Sequence, residues 1–184
     1  MEYRKSITLK DGRECVIRSC TAEDAQAALE VFILTHAQTD WLSSYPDEIS
    51  VTVEQEAKLL RERAESENEV ELTAEVDGRL AGLAGVNRVG PRAKSKHRAN
   101  FGISLDSAFW GLGIGRAMLR ACIECAVTAG YTQLELDVVA DNKNALALYR
   151  SEGFVEYGRN PRGFRSRVNG WQELVMMRLE LDGK

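Results

Sequence analysis

Three glycines alternate with other residues just ahead of an apolar helical pattern, and this is the segment with the clearest chemical use. Gly111, Gly113 and Gly115 follow a strand-like run and directly precede the helix. Glycines allow the backbone to turn tightly and leave several N–H groups pointing outward. The start of the helix adds its own unpaired N–H groups and the positive end of its dipole. The segment is therefore predicted to bind an anion.

Two familiar phosphate-binding motifs do not match this segment. It lacks the Gly-Lys-Ser/Thr ending of a P-loop, which disfavours hydrolysis of a nucleoside triphosphate. Its glycines follow Gly-x-Gly-x-Gly instead of Gly-x-Gly-x-x-Gly, and no ribose-binding acid follows the next strand at the expected place. A Rossmann site is therefore weakly supported. Taken alone, the glycines are as consistent with a plain turn before a helix.

A second motif, about 30 residues further on, favours a specific cofactor. Its spacing is Asn-x-x-Ala-x-x-x-Tyr-x-x-x-Gly-Phe, matched by Asn142, Ala145, Tyr149, Gly153 and Phe154. With the glycine segment it resembles the GNAT superfamily of acyl-CoA-dependent N-acetyltransferases, over roughly Val70 to Leu181. In that family a Gln/Arg-x-x-Gly-x-Gly/Ala loop binds the pyrophosphate of CoA. Trp110 stands where the family usually has Gln or Arg.

The resemblance implies which groups bind the co-substrate, acetyl-CoA. In the family one strand splays from its neighbour, and acetyl-CoA lies in the opening. Here the backbone of Ile103, Ser104 and Leu105 should pair with the pantetheine arm as an added strand would. Asn142 should hydrogen-bond the same arm. The N–H groups expected to bind pyrophosphate are those of Gly111, Leu112, Gly113, Ile114, Gly115 and Arg116.

Acyl transfer from a thioester to an amine requires a neutral amine and an acid that protonates the leaving thiolate. The resemblance implies that Tyr149 is this acid, the alternative being an ordinary core tyrosine. His97 is our candidate catalytic base, since the ordinary pKa of histidine, about 6.5, suits proton removal near neutrality. A solvated position in a basic loop fits His97 equally well. Many family members use a glutamate or a chain of waters, so Glu75 and Asp137 remain candidates.

The elements that must position these groups alternate in type along the chain. Asp11-Gly12 and Asp77-Gly78 each predict a hairpin, and Thr52 opens a helix with a capping box. A further helix runs from Gly113 and ends at Gly130. The sequence predicts an α/β (mixed α+β) fold, with a mixed, mostly antiparallel sheet of about six to seven strands and about four helices. The resemblance adds splayed strands at the acetyl-CoA site.

Composition limits the class of protein. The chain has 184 residues, of which 44% are hydrophobic and 28% charged, which suits a single N-acetyltransferase domain over residues 1–184. A net charge of −4 argues against a nucleic-acid partner. No stretch approaches the roughly 20 apolar residues of a membrane-spanning helix, and the start lacks the apolar core of a signal peptide. We therefore expect a cytoplasmic protein without a membrane partner.

The four cysteines raise the question of a metal site. Cys15 and Cys20 are five residues apart, and Cys122 and Cys125 are three apart, which loosely resembles paired zinc knuckles. The second pair lies inside a helical pattern with no turn residue between its members. We therefore expect cysteines packed in the core and no bound metal.

The resemblance implies direct transfer of an acetyl group from acetyl-CoA to a primary amine in a ternary complex. In this fold the acceptor pocket is usually shaped by two loops, here His36 to Ser50 and Arg159 to Gly170. We expect a small-molecule acceptor such as an amino acid, a polyamine or an amino-bearing antibiotic. The alternatives are a protein N-terminus or lysine, or a non-catalytic acyl-CoA-binding module.

Two further features bear on partners. Four arginines in the second loop suit a carboxylate-bearing acceptor, the phosphates of CoA, or simply solvent. Members of the superfamily commonly form homodimers, and Trp171 near the last strand is a candidate interface residue.

Overall fold

The backbone forms a single sheet with helices on both faces, and the computed structural model describes residues 1–183. The strands are β1 (Arg4–Thr8), β2 (Glu14–Ser19), β3 (Val70–Val76), β4 (Arg79–Arg88), β5 (Arg98–Leu105), β6 (Gln133–Val139), β7 (Val155–Ser166) and β8 (Gly170–Glu180). The α-helices are α1 (Ala25–Gln38), α2 (Val53–Glu65), α3 (Ile114–Thr128) and α4 (Lys143–Ser151). Short 3-10 turns occupy Ala22–Asp24, Pro46–Glu48 and Ser107–Phe109.

The order of the strands determines where a cleft can form. It is β1-β2-β3-β4-β5-β6-β8-β7, and β5 and β6 are the one parallel pair among the described residues. Parallel neighbours need a crossover connection, and α3 supplies it. The strand β6 then leads into α4. Both helices therefore begin beyond the carboxyl ends of the two parallel strands, at the same edge of the sheet.

Two apolar clusters cover the two faces of the sheet. The larger one joins α3 and α4 to one face and includes the alternate residues Leu134, Leu136 and Val138 of β6. The smaller one packs α1 and α2 against the opposite face of β4, where Leu80 and Leu83 lie. Alternation along β6 therefore turns its remaining side chains toward the face that α3 and α4 do not cover.

Local signals confirm several predicted elements. The Thr52 hydroxyl accepts a hydrogen bond from the Gln55 N–H at 3.3 Å, and the Gln55 side chain accepts from the Thr52 N–H at 2.9 Å. This is the predicted capping box at the start of α2. The predicted Asp77-Gly78 turn joins β3 to β4, with positive φ at both residues.

The predicted mixed, mostly antiparallel sheet with four helices is confirmed, with eight strands instead of six to seven. One prediction was wrong, because most of the arginine-rich segment from Arg159 is part of β7 and not a loop. It pairs with β8, and the register shifts on either side of Pro161. Proline cannot donate a backbone hydrogen bond, so a bulge at an edge strand accommodates it.

All four cysteines are free and buried. Cys122 and Cys125 lie on the core side of α3, as their helical spacing predicted. Among residues 1–183, no helix is both long enough and apolar enough to cross a membrane.

A close approach between β4 and β5 gives a test of the packing beside the parallel pair. A Cβ at Gly82 would lie 2.5 Å from the Ser104 carbonyl oxygen, whereas a Cβ at Gly102 would meet no atom within 4 Å. We expect Gly82→Ala to lower the free energy of unfolding by about 1–3 kcal/mol, because the backbone of β5 would have to shift. Gly102→Ala is the matched control and should be neutral or slightly stabilising. Chemical denaturation of both variants measures this, and equal losses would contradict it.

Candidate active site

The two parallel strands part after a short stretch of pairing. Residues 98–100 of β5 pair with residues 133–135 of β6, and the pairing ends with Asn100 opposite Glu135. Beyond this point β5 continues to Leu105 and β6 to Val139. Each strand remains paired on its other side, β5 with β4 and β6 with β8. The result is a wedge-shaped opening inside the sheet, which is the splayed geometry that the family resemblance implied.

The backbone of β5 shows which residues face this opening. The His97 carbonyl accepts hydrogen bonds from the N–H groups of Thr132 and Gln133 at 3.0 and 3.2 Å, so it points toward β6. At the other end the Asp106 N–H donates to the Ala81 carbonyl at 2.9 Å, so it points toward β4. Successive backbone groups along a strand alternate in direction. The N–H and C=O groups of residues 101, 103 and 105 therefore face the opening.

Ser104 requires a correction. We predicted that its backbone, with that of Ile103 and Leu105, pairs with the pantetheine arm. Alternation instead turns its backbone groups toward β4, where it lies opposite Leu83, and its side chain is buried. Ser104 therefore supports the neighbouring strand, while Ile103 and Leu105 present backbone groups to the opening.

The glycine segment lies at the outer end of the opening. Gly111 and Gly113 have φ values of 79° and 100°, in the left-handed region that favours glycine, and Gly113 is the N-cap of α3. The Ala117 N–H donates to the Gly113 carbonyl at 3.2 Å. The N–H groups at the start of an α-helix have no partner within it, which here describes Ile114, Gly115 and Arg116. This arrangement suits a bound anion.

The second predicted motif begins α4, which directly follows β6. The Asn142 side-chain oxygen accepts a hydrogen bond from the Ala145 N–H at 3.1 Å and so caps α4. Further along, Glu152 forms ion pairs with Arg116 and Arg120 of α3. The C-terminal end of α4 therefore lies beside the first two turns of α3, while both helices begin beyond the carboxyl ends of the parallel strands. The Asn142 oxygen is used by the cap, which leaves the amide nitrogen as its group for a ligand.

Tyr149 of α4 is buried beside the β5 wall of the opening. Its ring contacts Phe101 edge to face at a centroid distance of 6.1 Å and Phe154 at 5.9 Å. Burial raises the pKa of Tyr149 well above its usual value. The phenol therefore stays protonated across the physiological range, which is the state that a proton donor requires.

Two carboxylates of β6 lie on the face that α3 and α4 do not cover. Glu135 is buried, ion-paired with Arg98 through two oxygens, and accepts from the Gln133 amide at 2.7 Å. The Arg98 guanidinium lowers the pKa of Glu135. Asp137 lies two residues further along, beyond the last β5–β6 pair, and is exposed. Partial burial and the nearby Glu135 charge raise the pKa of Asp137.

The other two candidate bases lie away from the opening. His97 is exposed and directly precedes β5, so it lies on the paired side of Asn100. Glu75 lies on β3, two strands from β5, where the Arg18 guanidinium binds it at 3.0 Å. A catalytic role for His97 stays a prediction.

Residues 39–50 form the acceptor loop in the structure, because α1 takes up residues 36–38 of the predicted His36 to Ser50 loop, and Asp40 is one of the side chains that tie it to the hairpin of β7 and β8. The Asp40 carboxylate accepts hydrogen bonds from the Ser166 hydroxyl at 2.6 Å and the Asn169 amide at 2.7 Å. The Asp40 carbonyl accepts from the Gln172 amide at 3.0 Å. Asp40 could not be identified from the sequence, because its partners in the hairpin lie more than 120 residues away.

Comparison with known proteins agrees with this geometry. Residues 32–154, about two thirds of the chain, match the model of the Acetyltransferase (GNAT) family. The chain belongs to the GNAT family.

Individual GNAT relatives differ in their acceptors. The chain is 40% identical over 101 residues to N-alpha-acetyltransferase RimI of Mycobacterium tuberculosis, a match that covers 55% of the chain and 60% of RimI. It is 29% identical over 142 residues to L-amino acid N-acetyltransferase AaaT of Escherichia coli, covering 77% of the chain and 83% of AaaT. A GNAT acetyltransferase structure from Streptococcus pneumoniae superposes with a TM-score of 0.86 at 27% identity, covering 90% and 99% of the two chains.

The arginines of the β7–β8 hairpin fall into two groups within this GNAT fold. Arg159 is paired with Glu156 and Glu173, and Arg167 with Asp47 and Glu48. Arg162 and Arg165 instead lie over the exposed ring of Trp171, at 5.3 and 5.4 Å from its centroid. The four arginines therefore do not converge on one acceptor carboxylate.

The two roles of Asn142 can be separated by substitution. We expect Asn142→Asp to keep the cap on α4 and to weaken CoA binding, because it removes the amide donor and adds a negative charge. Asn142→Ala should weaken binding and also lower the free energy of unfolding by about 1 kcal/mol, since the cap is lost. Isothermal titration with CoA and chemical denaturation measure the two effects. Unchanged CoA affinity in both variants would contradict the binding role.

Proposed function

We propose that the protein transfers the acetyl group of acetyl-CoA to the primary amine of a small molecule in a ternary complex. The observation that carries this proposal is the opening between β5 and β6, with the glycine segment at its outer end. Along one wall the N–H and C=O groups of Phe101, Ile103 and Leu105 face a space that β6 does not fill. An extended ligand with amide groups can pair with such an edge as an added strand.

The shape and charge of the site fit acetyl-CoA. The N-terminus of α3, with the unpaired N–H groups of residues 114–116, lies where a pyrophosphate would be bound. The amides of a pantetheine arm match the backbone groups of Ile103 and Leu105. The thioester supplies the activated acetyl group, so that a new C–N bond can form as the C–S bond breaks.

Asp137 is our proposed base. An acceptor amine reaches the site as an ammonium ion and must lose a proton before it can attack the thioester. Asp137 borders the opening, is exposed and is not part of an ion pair among residues 1–183. An exposed carboxylate can bind an ammonium ion and then accept its proton. Its raised pKa makes it a stronger base than an ordinary aspartate.

Tyr149 is our proposed acid. The thiolate leaves with a negative charge and takes a proton from a neutral donor. Tyr149 stays protonated because it is buried, and it lies against Phe101 on the wall where the arm would bind. Positioning of the two substrates can supply up to about 7–11 kcal/mol of the barrier reduction.

Two observations favour a small acceptor. The similarity to AaaT extends over most of both chains, and AaaT is an L-amino acid N-acetyltransferase. The contacts of Asp40 also hold the acceptor loop against the β7–β8 hairpin, and a loop held in this way suits a compact acceptor. The similarity to RimI, higher in identity but over a shorter segment, supports the alternative of a protein N-terminus.

An acceptor screen with acetyl-CoA tests this function. We expect thiol release that depends on an amino acid, a polyamine or another small amine, and that exceeds release with peptides bearing a free N-terminus. Tyr149→Phe should lower kcat by about 10²- to 10⁴-fold while acetyl-CoA still binds, because only the proton donor is lost. Full turnover in that variant would contradict the acid role. Faster turnover with peptides would overturn the small-molecule proposal.

The pH dependence tests the base. The carboxylate form of Asp137 is the active one, so kcat/KM should rise with pH through the pKa of Asp137. Because that pKa is raised, the rise should lie above the range of an ordinary aspartate. Asp137→Asn should remove this rise and lower kcat/KM by about 10²- to 10⁴-fold.

Glu135→Gln and His97→Gln are the matched controls. Loss of the Glu135 charge should move the rise to lower pH, since that charge helps to raise the pKa of Asp137. His97→Gln should leave the profile unchanged. If the rise of kcat/KM with pH were lost in His97→Gln and kept in Asp137→Asn, the base would be His97 instead.

A further inference from the structure

The indole of Trp110 joins two parts of the site that are far apart in sequence. Its Nε1–H donates to the Leu105 carbonyl at 2.8 Å, and that carbonyl faces the opening. The ring of Trp110 stacks on the ring of Trp41, with centroids 6.3 Å apart and planes at 17°. Trp110 directly precedes the glycine segment, and Trp41 lies in the acceptor loop. One side chain therefore contacts both the co-substrate wall and the acceptor loop.

The residue before Trp41 extends this connection to the β7–β8 hairpin. Asp40, its neighbour in the chain, binds Ser166, Asn169 and Gln172 of the β7–β8 hairpin. The acceptor loop is thus fixed at one side by polar contacts to the hairpin and at the other by the aromatic pair. Displacement of Trp110 would release the side of the loop that faces the glycine segment.

The end of α1 is held separately. The Gln38 amide donates to the Asp106 carboxylate at 2.9 Å, and the Gln38 carbonyl oxygen accepts from the Ser107 N–H at 2.8 Å. These two bonds fix the point where the acceptor loop begins. The stacked rings of Trp110 and Trp41 connect the glycine segment to the acceptor loop itself.

Neither of the residues usual at this position in the family could make both contacts of Trp110. A glutamine or an arginine could donate to the Leu105 carbonyl, but neither offers an aromatic ring to Trp41. A phenylalanine would offer the ring without the donor. Trp110 is 45% exposed, so burial alone does not explain an indole here.

We propose that Trp110 is a positioning residue that couples the two substrates, an inference that rests on the proposed function. A ligand bound to the backbone N–H groups that follow Trp110 restricts the motion of the backbone at Trp110. The stack passes that restriction to Trp41 and so orders the acceptor loop. The acceptor then binds more tightly once the co-substrate is in place, because part of the ordering entropy has already been lost.

Hydrogen exchange of residues 39–50, with and without saturating CoA, tests the coupling without turnover. In the wild type we expect CoA to slow exchange of the acceptor loop about two- to tenfold, the range that one aromatic pair can contribute. Trp110→Gln and Trp41→Leu should abolish this response although titration shows that CoA still binds. Trp41→Phe keeps an aromatic ring and should retain the response.

Trp171→Phe is the matched control, because it removes an exposed tryptophan that contacts neither Trp41 nor Trp110. It should respond to CoA as the wild type does. No response in the wild type, or an equal response in Trp110→Gln and Trp41→Leu, would overturn the proposal.

Steady-state kinetics with a turned-over amine give a second readout. Trp110→Gln and Trp41→Leu should each raise the KM for the acceptor about two- to tenfold, with kcat nearly unchanged. The double variant should raise the KM no more than the single variant with the larger effect does, since both substitutions remove the same contact. Additive effects would count against the coupling. If no amine is turned over, the proposed function fails, while the exchange experiment still decides the coupling by itself.

Discussion

The hydrogen bonds that β5 and β6 do not make to each other are the constraint around which the other elements are arranged. Beyond Asn100 and Glu135 the backbone of β5 faces a gap in the middle of a sheet. A buried N–H or C=O group without a partner costs about 1–3 kcal/mol, so such groups need water, a side chain or a ligand. The Trp110 indole already supplies one partner, at the Leu105 carbonyl. The remaining groups form an edge that suits an extended ligand with amides of its own.

The gap can persist because each wall is held from its far side. The strand β5 pairs with β4 along its whole length, and β6 pairs with β8 from Gln133 to Val139. Gly82 lets β4 approach so closely that a side chain there would meet the Ser104 carbonyl. Beneath the opening, Tyr149 packs between Phe101 and Phe154, so the proposed proton donor is also part of the wall. Packing and chemistry therefore use the same side chain.

Local patterns were enough to predict the parts of the site that depend on nearby residues. The glycines before α3 act within one turn, so their spacing predicted the N-terminus of that helix, whereas the cap of α4 at Asn142 emerged from the structure. The direction in which the backbone groups of Ser104 point could not be predicted in this way, because it depends on which residues of β5 hydrogen-bond to β4. The residues after Arg159 look like a polar loop, yet pairing with β8 makes them a strand. Asp40 gave no local signal, since its partners come from the other end of the chain.

The acceptor side shows why composition says little about the chemistry of a site. Glu135 and Asp137 are two residues apart on one face of one strand, yet their surroundings shift their pKa values in opposite directions. Arg98 holds Glu135 as a carboxylate, and partial removal from water, together with the charge of Glu135, raises the pKa of Asp137. Separation of paired carboxyl groups into a fixed charge and a group with a raised pKa is a known way to obtain a general base. The arrangement depends on the short parallel pairing of β5 with β6, which brings Arg98 beside Glu135. The same few backbone hydrogen bonds thus define where the opening begins and place the Arg98–Glu135 ion pair beside the proposed base.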